Sequence, residues 1–225
     1  MIIVLDWDGT LVDSADAIVQ CMSDAAASVG LPVPSPTAVR QIIGLGLPEA
    51  VRSLFPAGEQ EQLAELTSAY SHHYRARPGD LPPLFPGVEQ TLAALLDAGY
   101  LLAVATGKSR RGLDRELQRR ELGDLFQVTR CADETASKPD PQMLVEILDE
   151  AGYAANQAVM VGDTEFDMLM ARRAGVRKIA VTYGAHSRRQ LSRCEPDLLV
   201  DEFSTILDWV NGGFEGGKDD RAGAR

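Results

Sequence analysis

Residues 1–14 read MIIVLDWDGTLVDS, an apolar run that ends in Asp6 and Asp8 and turns at once into Gly9 and Thr10. Carboxylates beside an apolar core are costly unless a cation faces them or chemistry uses them. The run therefore predicts a buried strand whose carboxyl end opens on a polar site. Short apolar runs return at YLLAVATG, QAVMVGD, RKIAVTYG and PDLLVDE. Their apolarity is continuous rather than alternating, the pattern of strands covered on both faces. Helical stretches separate them: TLAALLDAGY before the second run, SRRGLDRELQRRELG after it, PQMLVEILDEAGY before the third and DMLMARRAG after that. Strands alternating with helices predict an α/β fold with a parallel sheet and helices on both faces.

The stretch from Ser14 to Phe85 breaks this rhythm and reads as helices without strands. Ile18, Met22, Ala25 and Val29 share one helical face, with Asp13 or Ser14 as N-cap and Gly30 then Pro32 as the stop. Pro48 suits the first turn of LPEAVRSLF, and Leu63, Leu66, Tyr70 and Tyr74 make another stripe. The expected organisation is a core domain of residues 1–14 and 86–211, a helical domain of residues 15–85 inserted after the first strand, and a disordered tail at 212–225. The prolines and glycines of RPGDLPPLFPG make a hinge at the exit from the insert, and the tail has too little apolar content to pack.

Composition narrows the function. The 225 residues are 45% hydrophobic and 24% charged, with no apolar run of membrane-spanning length, so no membrane partner is expected. The net charge of −11 argues against nucleic acid, whose phosphates require a positive face. Cys21, Cys131 and Cys194 are too far apart for a zinc site or a disulfide framework and read as small buried hydrophobes. The first apolar run follows Met1 directly, without the basic stretch of a leader, so the expected address is cytoplasmic.

In open α/β sheets, ligands bind beyond the carboxyl ends of the strands. That rule selects Asp6 and Asp8, Thr106 and Gly107, Asp163 with Asp167 one helical turn later, and Lys138 on the loop SKPDP. Four carboxylates that close conflict electrostatically unless a cation joins them. The candidate ligands are all oxygens, with no His or Cys in these motifs, which favours Mg²⁺ over zinc. Such a site suits phosphoryl transfer, in which an aspartate can serve as nucleophile. Gly44 and Gly46 of IIGLGL would shape an insert turn that faces the substrate. Arg75, Arg77, Lys108, Arg110 and Arg111 form a basic group able to recruit an anion, and His72, His73 and His186 are read as non-catalytic.

DWDGTLVDS, the Thr106 of AVATGKS, the Lys138 of SKPDP and VGDTEFD match in order and spacing four motifs of the haloacid dehalogenase-like (HAD) hydrolase superfamily, which the chain resembles over nearly its whole length. IIGLGLPEAV and PGVEQTLAALLDAGYLLAVATGK are similar to the phosphoglycolate phosphatase-like branch. The resemblance implies a Rossmann-like core with an inserted helical cap. It also implies a Mg²⁺-dependent phosphatase acting on a small phosphorylated metabolite, 2-phosphoglycolate first, as a monomer or homodimer. Asp6 would attack phosphorus and bind Mg²⁺, while Asp8 would protonate the leaving oxygen, activate water and lend its backbone carbonyl to the metal. Thr106, Gly107 and Lys138 would hold the phosphoryl group, Gly46 would touch substrate, Asp163 would ligate the metal, and Asp167 would act on the metal or on its water shell. Trp7 stands where the family usually has Phe, and its side chain should point away from the aspartates. Two alternatives share these motifs: a beta-phosphoglucomutase-type sugar phosphate mutase and an inactive binding protein of the same fold. A dehalogenase is disfavoured by the presence of Asp8.

Overall fold

The computed structural model describes residues 1–77 and 81–212. The expected tail from residue 213 onward and residues 78–80, near the start of the expected hinge, lie outside the described residues. Six strands form one parallel sheet: β1 (Ile2–Leu5), β2 (Leu101–Thr106), β3 (Val128–Cys131), β4 (Ala158–Gly162), β5 (Arg177–Val181) and β6 (Leu198–Val200). They lie in the order β3-β2-β1-β4-β5-β6. Ile2 of β1 is level with Leu101 on one side and Ala158 on the other, and Leu5 with Val104 and Val161. Every residue of β1 is fully buried, which explains its unbroken apolarity.

Side chains alternate across the sheet, so each face has its own core. Ile3, Leu5 and Val104 pack on one face against α5 (Val88–Asp97), α6 (Arg110–Arg120) and α10 (Thr205–Asn211). Ile2, Val4 and Ala103 pack on the other against α7 (Gln142–Ala151) and α8 (Glu165–Ala174). The short α9 (Arg188–Ser192) covers β5 through Leu191, against Met168 and Ala180. The sheet is thus covered on both faces, as the sequence predicts.

The strand that the apolar pattern missed is β3. It lies at the sheet edge and, among the described residues, pairs only with β2. Its central Thr129 and Arg130 are half-buried and bond to Arg110, Glu146 and Glu150, so the segment never reads as an apolar run. Between β1 and β2 lie α1 (Ala15–Ser28), α2 (Pro36–Arg40), α3 (Leu47–Leu54) and α4 (Gln60–Ala76). Ile18, Met22, Val51 and Leu66 gather them around a separate apolar cluster. Ser14 holds the N-cap position of α1 but does not cap it with its side chain, whereas Pro48 sits in the first turn of α3. Cys21, Cys131 and Cys194 are free thiols, the first two buried. None of the described helices is long and apolar enough to cross a membrane.

Leu92 is fully enclosed between α5 and the sheet. Leu92→Ala should lower unfolding stability by about 2–5 kcal/mol through lost transfer energy and the cavity left behind. Urea denaturation of both chains measures it, and a loss under 1 kcal/mol would place that side chain outside the core.

Candidate active site

Strand order reverses at β1, between β2 and β4, and the loops leaving these three strands meet there. Asp6 follows β1, Thr106 ends β2 and Asp163 follows β4. Lys138 comes from the loop before α7, and its side chain is fully buried. The Lys138 ammonium donates to Asp6 Oδ1 at 2.5 Å and to Asp167 Oδ1 at 2.6 Å. Asp167 Oδ2 also accepts from the backbone N–H of Thr164 and, at 2.7 Å, from its hydroxyl, which closes the first turn of α8. Asp163 accepts from the Thr10 hydroxyl at 3.0 Å and the Ala185 N–H at 2.7 Å.

Gly9 is required beside these groups. Its φ is +89°, and a Cβ there would lie 2.2 Å from Asp163 Oδ2.

Oxygens of Asp6, Asp163 and Asp167 lie within 4.8 Å of one another, all buried. Burial pushes the Asp6 carboxyl up to about 7 against the pull of Lys138, and pushes Asp163 well above the ordinary carboxylate range, with Asp6 and Asp167 adding to it. Lys138 is itself held above its usual value, because Asp167 and Asp6 outweigh the desolvation of its ammonium. One ammonium among three carboxylates leaves negative charge uncompensated, and an all-oxygen donor set of this kind fits a divalent cation.

Asp8 stands apart from that group. Its side chain accepts from Ser14 Oγ at 2.7 Å and from Lys108 Nζ at 2.9 Å through each oxygen. Any contribution of Asp8 to a metal therefore falls to its backbone carbonyl. Lys108 also pairs with Glu116 Oε1 at 2.9 Å and sits 4.8 Å over the Tyr74 ring of α4. Desolvation works against the Lys108 charge, but Asp8, Tyr74 and Glu116 more than offset it. Burial likewise opposes an ionised Glu116, yet Lys108, the Trp7 indole and Arg120 bring that carboxyl below its ordinary value.

One expectation changes here. Lys108 and Arg110, read as members of a basic recruiting group, are committed to acids: Lys108 to Asp8 and Glu116, Arg110 to Asp114 and Glu134. The sequence placed Lys108 beside Gly107 but gave no sign of its partner, since Glu116 sits in a helix crowded with charges. Trp7 points away from the aspartates as expected. It packs edge-on to Phe126 at 6.0 Å and donates its indole N–H to Glu116 Oε2 at 2.8 Å, a bond that Phe cannot make.

The insert rests on the core at this same place. Gly107 admits the Gly44 and Leu45 carbonyls so closely that a Cβ would lie 2.5 Å from Leu45 O. The Gly46 N–H is taken by Ser137 Oγ at 2.8 Å, while Gly44, Leu45 and Leu47 line the cavity above Asp6 and Asp8. Buried His186 accepts the Glu165 N–H on Nδ1, and Nε2 lies 3.4 Å from Gln41 O of the insert. Burial lowers its pKa and so favours the neutral ring, which suits this bridging position.

Trp7→Phe removes a buried bond to a charged acceptor, which is typically worth about 1.5–3 kcal/mol. The variant should be less stable by that amount in urea, and an unchanged midpoint would mean that Glu116 draws nothing from the indole.

Comparison with known proteins agrees with this geometry. Residues 3–181 match the haloacid dehalogenase-like hydrolase family. The chain is 35% identical over 210 residues to the probable phosphatase IndB of Dickeya dadantii, covering 92% of this chain and 91% of that protein. It is 32% identical over 209 residues to the phosphoglycolate phosphatase of Agrobacterium fabrum, covering 90% and 89%. The solved structure of a predicted phosphoglycolate phosphatase from Haemophilus somnus superposes with a TM-score of 0.84 at 26% identity, covering 93% of this chain and 97% of the other. With its family motifs gathered beyond the carboxyl ends of β1, β2 and β4 and the family model matching residues 3–181, the chain belongs to the haloacid dehalogenase-like hydrolases.

Proposed function

We propose that this chain is a phosphatase that hydrolyses a small phosphomonoester metabolite through an aspartyl-phosphate on Asp6, with Mg²⁺ as the bound cation. 2-Phosphoglycolate, named in several relatives, is the first compound to try. The observation that carries the reading is the unequal treatment of two neighbouring aspartates. Asp6 is held by Lys138 within the carboxylate group, and Asp8 is held by Lys108 and Ser14 outside it.

In this reading Asp6 attacks phosphorus, and the bond from phosphorus to the leaving oxygen breaks. Asp8, carrying a proton when the phosphoryl group arrives, gives that proton to the leaving oxygen and is left as the carboxylate that Lys108 and Ser14 hold, so the product leaves as an alcohol. Asp8 then takes a proton from water as the water attacks the aspartyl-phosphate, which frees inorganic phosphate and restores Asp6. The Thr106 hydroxyl and the Gly107 N–H hold phosphoryl oxygens, and Lys138 offsets charge on both nucleophile and phosphoryl group. Asp6, Asp163, Asp167 and the Asp8 carbonyl would hold the Mg²⁺, directly or through water, and the bound ion would neutralise phosphoryl charge. Residues 15–85 serve as a cap over a core of residues 1–14 and 86–211, excluding bulk water other than the attacking molecule while the intermediate exists.

Inorganic phosphate release from a panel of small phosphomonoesters should require Mg²⁺, stop with a chelator, and fall at least about a thousandfold in Asp6→Asn. Mg²⁺ should also raise the unfolding temperature of the wild type, since a ligand bound only by the folded chain stabilises it, and should not raise that of Asp163→Asn. Turnover that survives both the chelator and Asp6→Asn would overturn the mechanism.

A further inference from the structure

The cavity above Asp6 and Asp8 has a volume of about 180 Å³. Its floor is polar, formed by Asp6, Asp8, Thr106 and Gly107, but the part of its wall that the insert supplies is largely apolar. Ile18, Met22, Ile42, Leu47 and Tyr70, all from the insert, face it. A phosphoryl group on the floor takes up part of that volume and leaves the remainder, against the insert, to a compact body. The two-carbon leaving group of 2-phosphoglycolate would leave these walls against water, whereas a compact apolar body would cover them and gain their transfer energy.

Charge is distributed in a second pattern. Lys108 lines the cavity but is spent on Asp8 and Glu116. Arg75 of α4 and Arg111 and Arg115 of α6 also line it. Among the described residues no carboxylate pairs with any of the three, although the other described ion pairs use arginines freely. Arg115 Nε is buried and has no hydrogen-bond partner. Arg111 and Arg115 are four residues apart on α6, so their like charges share one helix face at a small cost. Unpaired arginines at one cavity, in a chain of net charge −11, are positioned for an anion brought from outside.

We propose that the site selects phosphomonoesters whose leaving alcohol carries a compact apolar body and ends in an anionic group held by Arg75, Arg111 and Arg115. The phosphoryl end sits on the polar floor and the apolar body lies against the insert. The far anion then joins α4 of the insert to α6 of the core. This selection rests on the phosphatase reading above and adds to it the class of substrate.

Benzyl phosphate, 4-carboxybenzyl phosphate and 2-phosphoglycolate test it, because all three release aliphatic alcohols. With Mg²⁺ present, kcat/KM from phosphate release should be highest for 4-carboxybenzyl phosphate, with about a tenfold step down to benzyl phosphate and another to 2-phosphoglycolate. Arg115→Gln should lower kcat/KM for the carboxylated ester at least about tenfold more than for benzyl phosphate, chiefly through KM, and Arg115→Lys should restore part of the difference. Preference for 2-phosphoglycolate over both benzyl esters would overturn this selection while leaving the phosphatase reading intact. Equal use of the two benzyl esters would overturn the arginine assignment. Release from none of the three while another phosphomonoester of the panel is turned over would overturn the selection alone, and release from no member of the panel, by a chain whose unfolding temperature still rises with Mg²⁺, would overturn the phosphatase reading and the selection with it.

Discussion

The structure turns on one ammonium placed among three buried carboxylates. Lys138 reaches Asp6 and Asp167 at 2.5 and 2.6 Å, with no exposed surface on its side chain. Buried ion pairs return little net stability, and a surplus of like charge inside the core adds cost. The fold meets that cost with fixed donors: the Thr10 hydroxyl, the Ala185 N–H and the first turn of α8. The strong apolar packing on both faces of β1 tolerates the charge it carries at its end. A site that leaves part of its negative charge unmatched is prepared for a cation, and stability gives way locally to that purpose.

A second cation explains why two aspartates two residues apart can differ in role. After β1 the chain turns through Gly9, and the side chains of Asp6 and Asp8 go to different partners. Lys138 comes from the loop before α7, and Lys108 from the loop after β2. Lys108 is held from behind by Glu116, and Glu116 by the Trp7 indole. Trp7 stands between Asp6 and Asp8 in the sequence, yet it points into the core on the far side and anchors the network that orients Asp8. The residue between the two carboxylates thus acts on one of them through two intermediaries.

How much of this was legible in the sequence depends on how far apart the cooperating residues lie. Five strands were legible because both faces of the sheet are covered, so each reads as one apolar run. The edge strand β3 was not, because Thr129 and Arg130 answer to neighbours in α6 and α7 rather than to the sheet core. Asp6, Thr106, Lys138, Asp163 and Asp167 stand at strand ends and in loops where the α/β rule looks for ligands, and the structure brings them together. Glu116 and Arg115 escaped notice, and Lys108 was read only as one of a basic group, for a common reason. Each is a charged residue in or beside the charged helix α6, and only the tertiary fold separates those that face the site from those that face water.

The placement of the insert follows from the same economy of side chains. Gly107 has none, so the carbonyls of Gly44 and Leu45 approach its backbone directly, and Ser137, adjacent to Lys138, takes the Gly46 N–H. His186 links Gln41 to the start of α8, the helix that carries Asp167. Each contact falls within two residues of a proposed catalytic residue or against the helix that carries one. The insert therefore reads the positions of the loops that carry Thr106 and Lys138 through its own backbone. Any movement that opened the cavity would first break hydrogen bonds next to Lys138 and α8, which couples access to the cavity with the arrangement of the groups beneath it.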